Sequence, residues 1–268
     1  MDSPPYLSPT APVAPASPAP STWRERLFAA LIHLSASLLL TGLLAASMWF
    51  ALYPPPYFWI DGGWSVLRIV ILVDVILGPM LTFVVFNRAK REWKRDLAII
   101  AAVQLLAFVY GAYTMERYRP VFAAYVDNVF FAVTWPRVEL GTKDLAKPRA
   151  LRAGQWAPTL VVIDMPQDVK AAQELRSRSN PDGNRTLPGM GDLYLPFDAA
   201  NAARVLGNTA DIEALAKGDP SIAAELARIR AQHPGPLTRY AFVPLAGRDE
   251  IVMAVFDRES RVMIDWMR

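Results

Sequence analysis

Within the apolar stretch ILVDVILGPMLTFVVF (71–86), three residues that do not suit oil recur at a spacing of four: Asp74, Gly78 and Thr82. That spacing sets a carboxylate, a residue without a side chain and a hydroxyl along one face of a helix. His33, Ser37 and Thr41 repeat the pattern in a second apolar stretch, and Gln104 and Gly111 share a face in a third. Such stripes turn towards neighbouring helices, because small residues let backbones approach and polar ones find partners there. A carboxylate facing lipid is costly, so Asp74 must face a bundle or water, and it is a functional candidate by default. Its bland role is to lock helices together. Pro79 removes a backbone hydrogen bond to the carbonyl of Val75 and, with Gly78, should kink or loosen its helix.

Other chemistry is sparse. The chain has no cysteine, which removes thiol nucleophiles, thiolate metal sites and lipoprotein anchoring. Its two histidines, His33 and His233, fall in different compartments on the topology given below, so they cannot form a metal pair. The glycine-rich places GMGD and IDGG match neither phosphate-binding nor dinucleotide fingerprints, and GxSxG is absent. His233 lies in HPGP, which reads as a turn. No cofactor, metal site or catalytic residue is expected.

The elements that must position the polar stripes follow from composition. The chain is 53% hydrophobic and 20% charged, with a mean hydropathy of +0.20. Its apolar excess is concentrated in three runs, at about 27–52, 66–86 and 97–113. Each approximates the ~20 residues that a helix needs to cross the hydrocarbon layer. The first run is too long for a cleaved signal core. Arg24 and Arg26 precede it, and NRAKREWKRD joins the second and third runs, whereas YPPPYFWIDGGW between the first and second holds no lysine or arginine. The basic segments stay in the cytoplasm, so the remainder of the chain emerges outside. The same basic linker could serve as an anionic-lipid or nucleic-acid patch, but its place between two membrane helices makes the topogenic reading the better one. Tyr53, Tyr57, Trp59 and Trp64 would supply an outer aromatic belt, with Trp23 and Trp93 marking the inner face.

Heights refine the picture. At ~1.5 Å per residue, Asp74 lies roughly 20 Å above the cytoplasmic ends, level with Thr41 and Tyr110, while His33 is only about 10 Å up. The hydroxyl of Thr41 or Tyr110 is therefore expected to satisfy Asp74, and a direct Asp74–His33 pair is not.

The chain divides into three parts. Residues 1–22 are Pro-rich and read as a disordered cytoplasmic tail. Residues 23–118 form a three-helix transmembrane bundle. Residues 119–268 form a small periplasmic α+β domain with an antiparallel sheet. In it, strands are expected near 121–134, 159–163, 239–244, 250–256 and 261–266, the fourth central and the last an edge. A helix is expected at 167–177 and an exposed loop at 179–192. Asp198, Thr209 and Asp219 read as helix N-caps, with Pro220 in the first turn of the last helix and Gly218 closing the one before it.

A combination of residues over roughly 23–135 resembles the TfpX/TfpZ group of type IV pilin accessory proteins. It consists of Tyr53-Pro54 and Gly62-Gly63 in the outer loop, Val73-Asp74, Leu77-Gly78-Pro79 and Leu81-Thr82, then Asp96-Leu97, Gln104, Tyr110-Gly111, and a membrane-exit motif of Arg119, Pro120 and Asp127. The resemblance implies an inner-membrane helper that binds and stabilises the major pilin before or during assembly. Pilins of that class carry a glutamate in an otherwise apolar helix. The implied docking face for that helix comprises Asp74, Gly78, Pro79, Thr82, Gln104 and Tyr110, with the outer domain meeting the pilin head. The partners are then a pilin and the lipid bilayer, not nucleic acid. Two alternatives are an enzyme that modifies pilin, for example by glycan transfer, and a sensor with a periplasmic ligand domain.

Overall fold

The computed structural model describes residues 20–179, 186–207, 209 and 211–268, so the expected tail up to residue 19 and loop positions 180–185 lie outside the described residues. Among the described residues, three helices are long and apolar enough to cross a membrane: Trp23–Leu52, Gly63–Val85 and Trp93–Tyr118. The first begins as α1 (Trp23–Ser47) at a reciprocal cap: Glu25 N–H donates to the Thr22 hydroxyl and Thr22 N–H donates to the Glu25 carboxylate. It ends in a π-helical turn, Met48–Leu52.

The loop that follows carries the short helix α2 (Tyr57–Ile60) and, at Gly62, a left-handed turn with φ 84°. The second long helix has three parts: α3 (Gly63–Val70), a π-helical segment (Ile71–Leu77) and α4 (Gly78–Val85). The expected loosening at Gly78-Pro79 takes this π form. Gly78 N–H reaches back to the Val73 carbonyl, a five-residue step, and Pro79 stands in the first turn of α4, where its missing N–H costs little. The third long helix is α5 (Trp93–Tyr118).

The N-terminal end of α1 and the basic linker lie at one end of the bundle. Ser21 N–H donates to Asn87, Arg88 N–H donates to the Ser21 hydroxyl, and Arg88 lies 3.7 Å from Glu25. The 53–62 loop lies at the other end, against the small domain.

The small domain is built on a seven-stranded sheet: β1 (Pro120–Val126), β2 (Val129–Thr134), β3 (Thr159–Ile163), β4 (Tyr194–Pro196), β5 (Tyr240–Ala246), β6 (Ile251–Asp257) and β7 (Met263–Met267). Their order is β4-β3-β1-β2-β5-β6-β7. The sheet is mixed rather than antiparallel, because β1 runs parallel to β3 and β2 parallel to β5. The strand expected at 121–134 is a hairpin, turned at Asp127 and Asn128, both with positive φ, as a tight two-residue turn requires. β3 matches its expected span, and β7 is one edge of the sheet, with β4 the other. β6 is flanked by β5 and β7.

Alternation along the strands makes two apolar faces. One, with Ala123, Phe130, Val243 and Phe256, is covered by α9 (Ala199–Gly207) and by Tyr57 and Ile60 of the membrane loop. The opposite face packs on α6 (Trp135–Gly141), α7 (Ala146–Arg152) and α8 (Val169–Ser177) at one end. Towards β7 it packs on α10 (Ile212–Gly218) and α11 (Pro220–Gln232).

Asp198 and Asp219 cap α9 and α11 as expected, and Gly218 ends α10. Asp211, not Thr209, caps α10 by accepting from Ala214 N–H, since it sits three residues before that donor. The stretch 187–193 is not an exposed loop. It forms two 3₁₀ turns with Leu187 and Met190 buried, pinned by the Thr142 hydroxyl, which accepts from Gly191 N–H and donates to the Gly189 carbonyl.

Candidate functional site

The polar stripes meet on the floor of a groove between the long apolar helices. α1 and α5 both pack on α4, and between them opens a trough of about 570 Å3. Its walls include Ala36 and Leu40 from α1, and Ala101 and Leu105 from α5. Asp74, Thr82, His33, Ser37 and Gln104 lie along it. The third helix is the least enclosed of the three: none of its apolar window is buried, against 22% for each of the other two.

The floor is specific. His33 Nδ1 lies 2.7 Å from Thr82 Oγ1, joining α1 to α4. Gln104 donates from Nε2 to the Val73 carbonyl at 3.2 Å, joining α5 to the π segment. Gly78 makes that approach possible, because a Cβ there would collide with the Gln104 amide. Asp74 is buried at the π segment, and its Oδ1 has no hydrogen-bond partner among the described residues. The same holds for Gln104 Oε1 and Thr41 Oγ1. Two acceptors, a carboxylate oxygen and an amide oxygen, thus lie enclosed without a partner beside a groove bounded by hydrocarbon side chains. A hydrogen-bond donor entering that space would gain more than it would in water, since the alternative for each acceptor is to stay bare.

Of the residues expected on this face, Asp74, Thr82 and Gln104 line the groove and Gly78 lies against Gln104, whereas Pro79 is buried without lining it. Tyr110 does not line it either. It is 72% exposed on the outer side of α5, so the height that brought it level with Asp74 was matched by the wrong rotation about the helix axis. Thr41, though buried, does not bond to Asp74. The His33–Thr82 pair was not foreseen, although the signal was present. Thr82 stands eight residues beyond Asp74 on a helix running back down, roughly 12 Å lower and level with His33.

The outer-loop motif is a structural plug. Tyr53 and Tyr57 are buried and form no interfacial belt; Trp64 and Trp23 are exposed. Tyr53 Oη donates to the Met115 carbonyl, fastening the loop to α5, and Pro54 accepts from Tyr57 N–H. Asp61 accepts from Arg248 N–H at 3.0 Å, and Asp249 N–H donates to the Ile60 carbonyl at 2.8 Å. Gly62 lies under the Arg248 guanidinium, while Gly63 abuts the Phe58 backbone. Burial pushes the Asp61 carboxyl up to about 6, against the pull of the Arg248 N–H and the charges of Arg248 and Arg137.

In the membrane-exit motif, Arg119 donates to the Trp156 carbonyl, Pro120 opens β1 opposite Thr134, and Asp127 in the hairpin turn pairs with Arg176 of α8. His233, at the end of α11, lies 3.0 Å from Asp265 on β7, a contact between structural elements.

The family model described as fimbrial assembly protein FimB matches residues 21–62, the stretch from the cap of α1 through the plug to Gly62. Over 100 residues the chain is 41% identical to a fimbrial assembly protein of serogroups C1 and C2 from Dichelobacter nodosus, a match covering 35% of this chain and 76% of that protein. The chain belongs to the fimbrial assembly protein family. Fimbrial assembly proteins of serogroups I and E1 from the same organism are 41% and 39% identical over 100 residues, and there the chain spans 39% of each relative's length. No solved structure is a significant match.

Proposed function

We propose that this protein serves pilus biogenesis in the inner membrane, holding the apolar helix of the major pilin in the groove between α1 and α5 before or during assembly. Family membership supports the biological setting, and the names of its relatives speak for assembly rather than catalysis. The observation that carries the partner reading is the groove itself: apolar walls, small residues at Ala36, Ser37 and Ala101 that admit a backbone, and unsatisfied acceptors at Asp74 and Gln104. A pilin-type helix is apolar and carries one carboxyl. Two ionised carboxylates would repel in this low dielectric, so the incoming group must bring a proton to Asp74 or meet the Gln104 amide. On this reading the basic end of the bundle is cytoplasmic, and the small domain stands outside, within reach of the pilin head.

The test is co-purification of pilin from membranes with the wild type, with Asp74→Leu and with Ala101→Trp, which fills the groove from an exposed position. The expected result is retention by the wild type and loss with both variants. Equal recovery from all three would overturn the docking reading.

A further inference from the structure

The cluster of arginines where α5 leaves the bundle is unaccounted for by pilin docking. A pocket of about 340 Å3 lies between the last turn of α5 and the head, lined by Glu116, Arg117, Trp135, Arg149 and Arg152 among others. Arg119 stands beside it, nearly enclosed, with its Nη1 committed to the Trp156 carbonyl and its Nε 3.5 Å from Glu116. Arg117 is taken up by Glu139 at 2.5 Å. That leaves Arg149 and Arg152, neither of which forms an ion pair among the described residues. Arg152 is the more telling: its Nε and Nη2 are out of contact with solvent and have no hydrogen-bond partner. Four arginines thus gather around two glutamates.

Guanidinium groups crowded together with N–H donors unused are set for an oxyanion that can accept several bonds at once, and phosphate geometry fits that fork. The height of the pocket narrows the source. It sits just past the apolar length of α5, whose last turns carry the exposed Tyr113 and Tyr118, and Trp156 is 69% exposed next to Arg119. Exposed tyrosine and tryptophan at a helix end mark the headgroup layer.

We propose that this pocket binds a phosphate-bearing anion at the outer membrane surface, the phosphate of a lipid headgroup, held by Arg149 and Arg152 with Trp135 as its wall. Arg152 and Arg119 repel one another, and burial with that repulsion holds the Arg152 guanidinium below its ordinary range, with Glu116 opposing. An incoming phosphate offsets the repulsion by supplying the counter-charge. The site would anchor the head at a fixed height and tilt over the bilayer, whatever occupies the intramembrane groove.

The experiment is native mass spectrometry of the full-length protein in a neutral detergent, without pilin, so its result does not depend on the docking reading. Phosphatidylglycerol and diacylglycerol, which lacks the phosphate, are added in turn. The wild type should retain phosphatidylglycerol and not diacylglycerol. Arg149→Gln/Arg152→Gln should retain it roughly 10- to 30-fold more weakly, as the loss of two interfacial charges predicts. Arg149→Gln alone, at an exposed position, should show part of that loss and keeps the test valid if the double variant does not fold. If inorganic phosphate at millimolar concentration displaces the lipid, and itself depends on the two arginines, the phosphate chemistry stands and the source is soluble. Equal retention of both lipids, or of phosphatidylglycerol by wild type and Arg149→Gln, overturns the proposal.

Discussion

The imidazole of His33 and the hydroxyl of Thr82 meet at 2.7 Å, and this contact ties the first long helix to the second below the buried carboxylate of Asp74. Side-chain hydrogen bonds between membrane helices contribute about 0.6 kcal/mol on average and up to about 2. Thr82→Val should therefore lower stability in detergent by about 1 kcal/mol, and His33→Leu/Thr82→Val should cost little more than either single change. Chemical unfolding followed by tryptophan fluorescence measures this; fully additive losses would show that the two side chains do not act as a pair.

Gly78 governs how close α5 can come. With Gly78→Leu, a side chain enters the space of the Gln104 amide, and overpacking of this kind costs about 1–3 kcal/mol. Because the far end of Gln104 is the obstacle, Gln104→Ala should recover part of the loss in the double variant. Thermal unfolding of the four proteins tests the coupling.

Asp61 predicts a pH dependence of the joint between membrane loop and head. Its carboxyl is raised to about 6 in the folded protein, so the folded state prefers the protonated form. The stabilising contribution is complete below the unfolded value of about 4 and is lost as pH rises through 6, on the order of 2–3 kcal/mol in all. Asp61→Asn keeps an acceptor for Arg248 N–H and should flatten the stability profile between pH 4 and 6. Hydrogen exchange at Asp249, whose N–H is held by the Ile60 carbonyl, reports the joint directly.

The edge strand responds to acid in the opposite sense. Burial raises the Asp265 carboxyl, but hydrogen bonds from Arg228, the Trp266 N–H and His233 outweigh it, leaving the group below its ordinary range. A carboxyl lowered by folding stabilises above its unfolded value, and that contribution disappears as pH falls through the folded one. Acidification below pH 4 should release β7 from α11 before the rest of the sheet opens, and Asp265→Asn should do so at neutral pH. Amide exchange along 263–267 is the measurement.

The natural absence of cysteine allows clean placement of single thiols. Leu105→Cys faces the groove, whereas Val109→Cys is exposed on α5 without lining it. In membranes from pilin-producing cells, crosslinking to pilin is expected from position 105 and not from 109. Equal yields would place the contact elsewhere on α5.

Much of this could be read from residue order. Apolar runs marked the three long helices to within a few residues, because length and hydropathy are properties of a segment alone. β3, the caps at Asp198 and Asp219 and the edge position of the last strand were legible for the same local reason: a cap needs one oxygen near one N–H, and an edge strand needs one polar face. Asp74, Gly78 and Thr82 were found as a set because helical spacing places them on one face before any packing occurs, whereas Gln104, on another helix, joined them only through the resemblance.

Rotation, pairing and burial were not local. Tyr110 has the right height and the wrong azimuth, since rotation of α5 about its axis is set by the approach of Gln104 to Gly78. The parallel pairing of Phe130 with Leu245 joins strands distant in sequence, and alternation within each strand is the same for a parallel or an antiparallel neighbour. Tyr57 reads as interfacial and is buried, because the β5–β6 turn closes over the loop. The sequence determined which segments seek hydrocarbon and which side chains break their apolar faces. Only the tertiary structure decided which of those side chains would meet and which would be left without a partner, because contact depends on the relative placement of segments that no single stretch encodes.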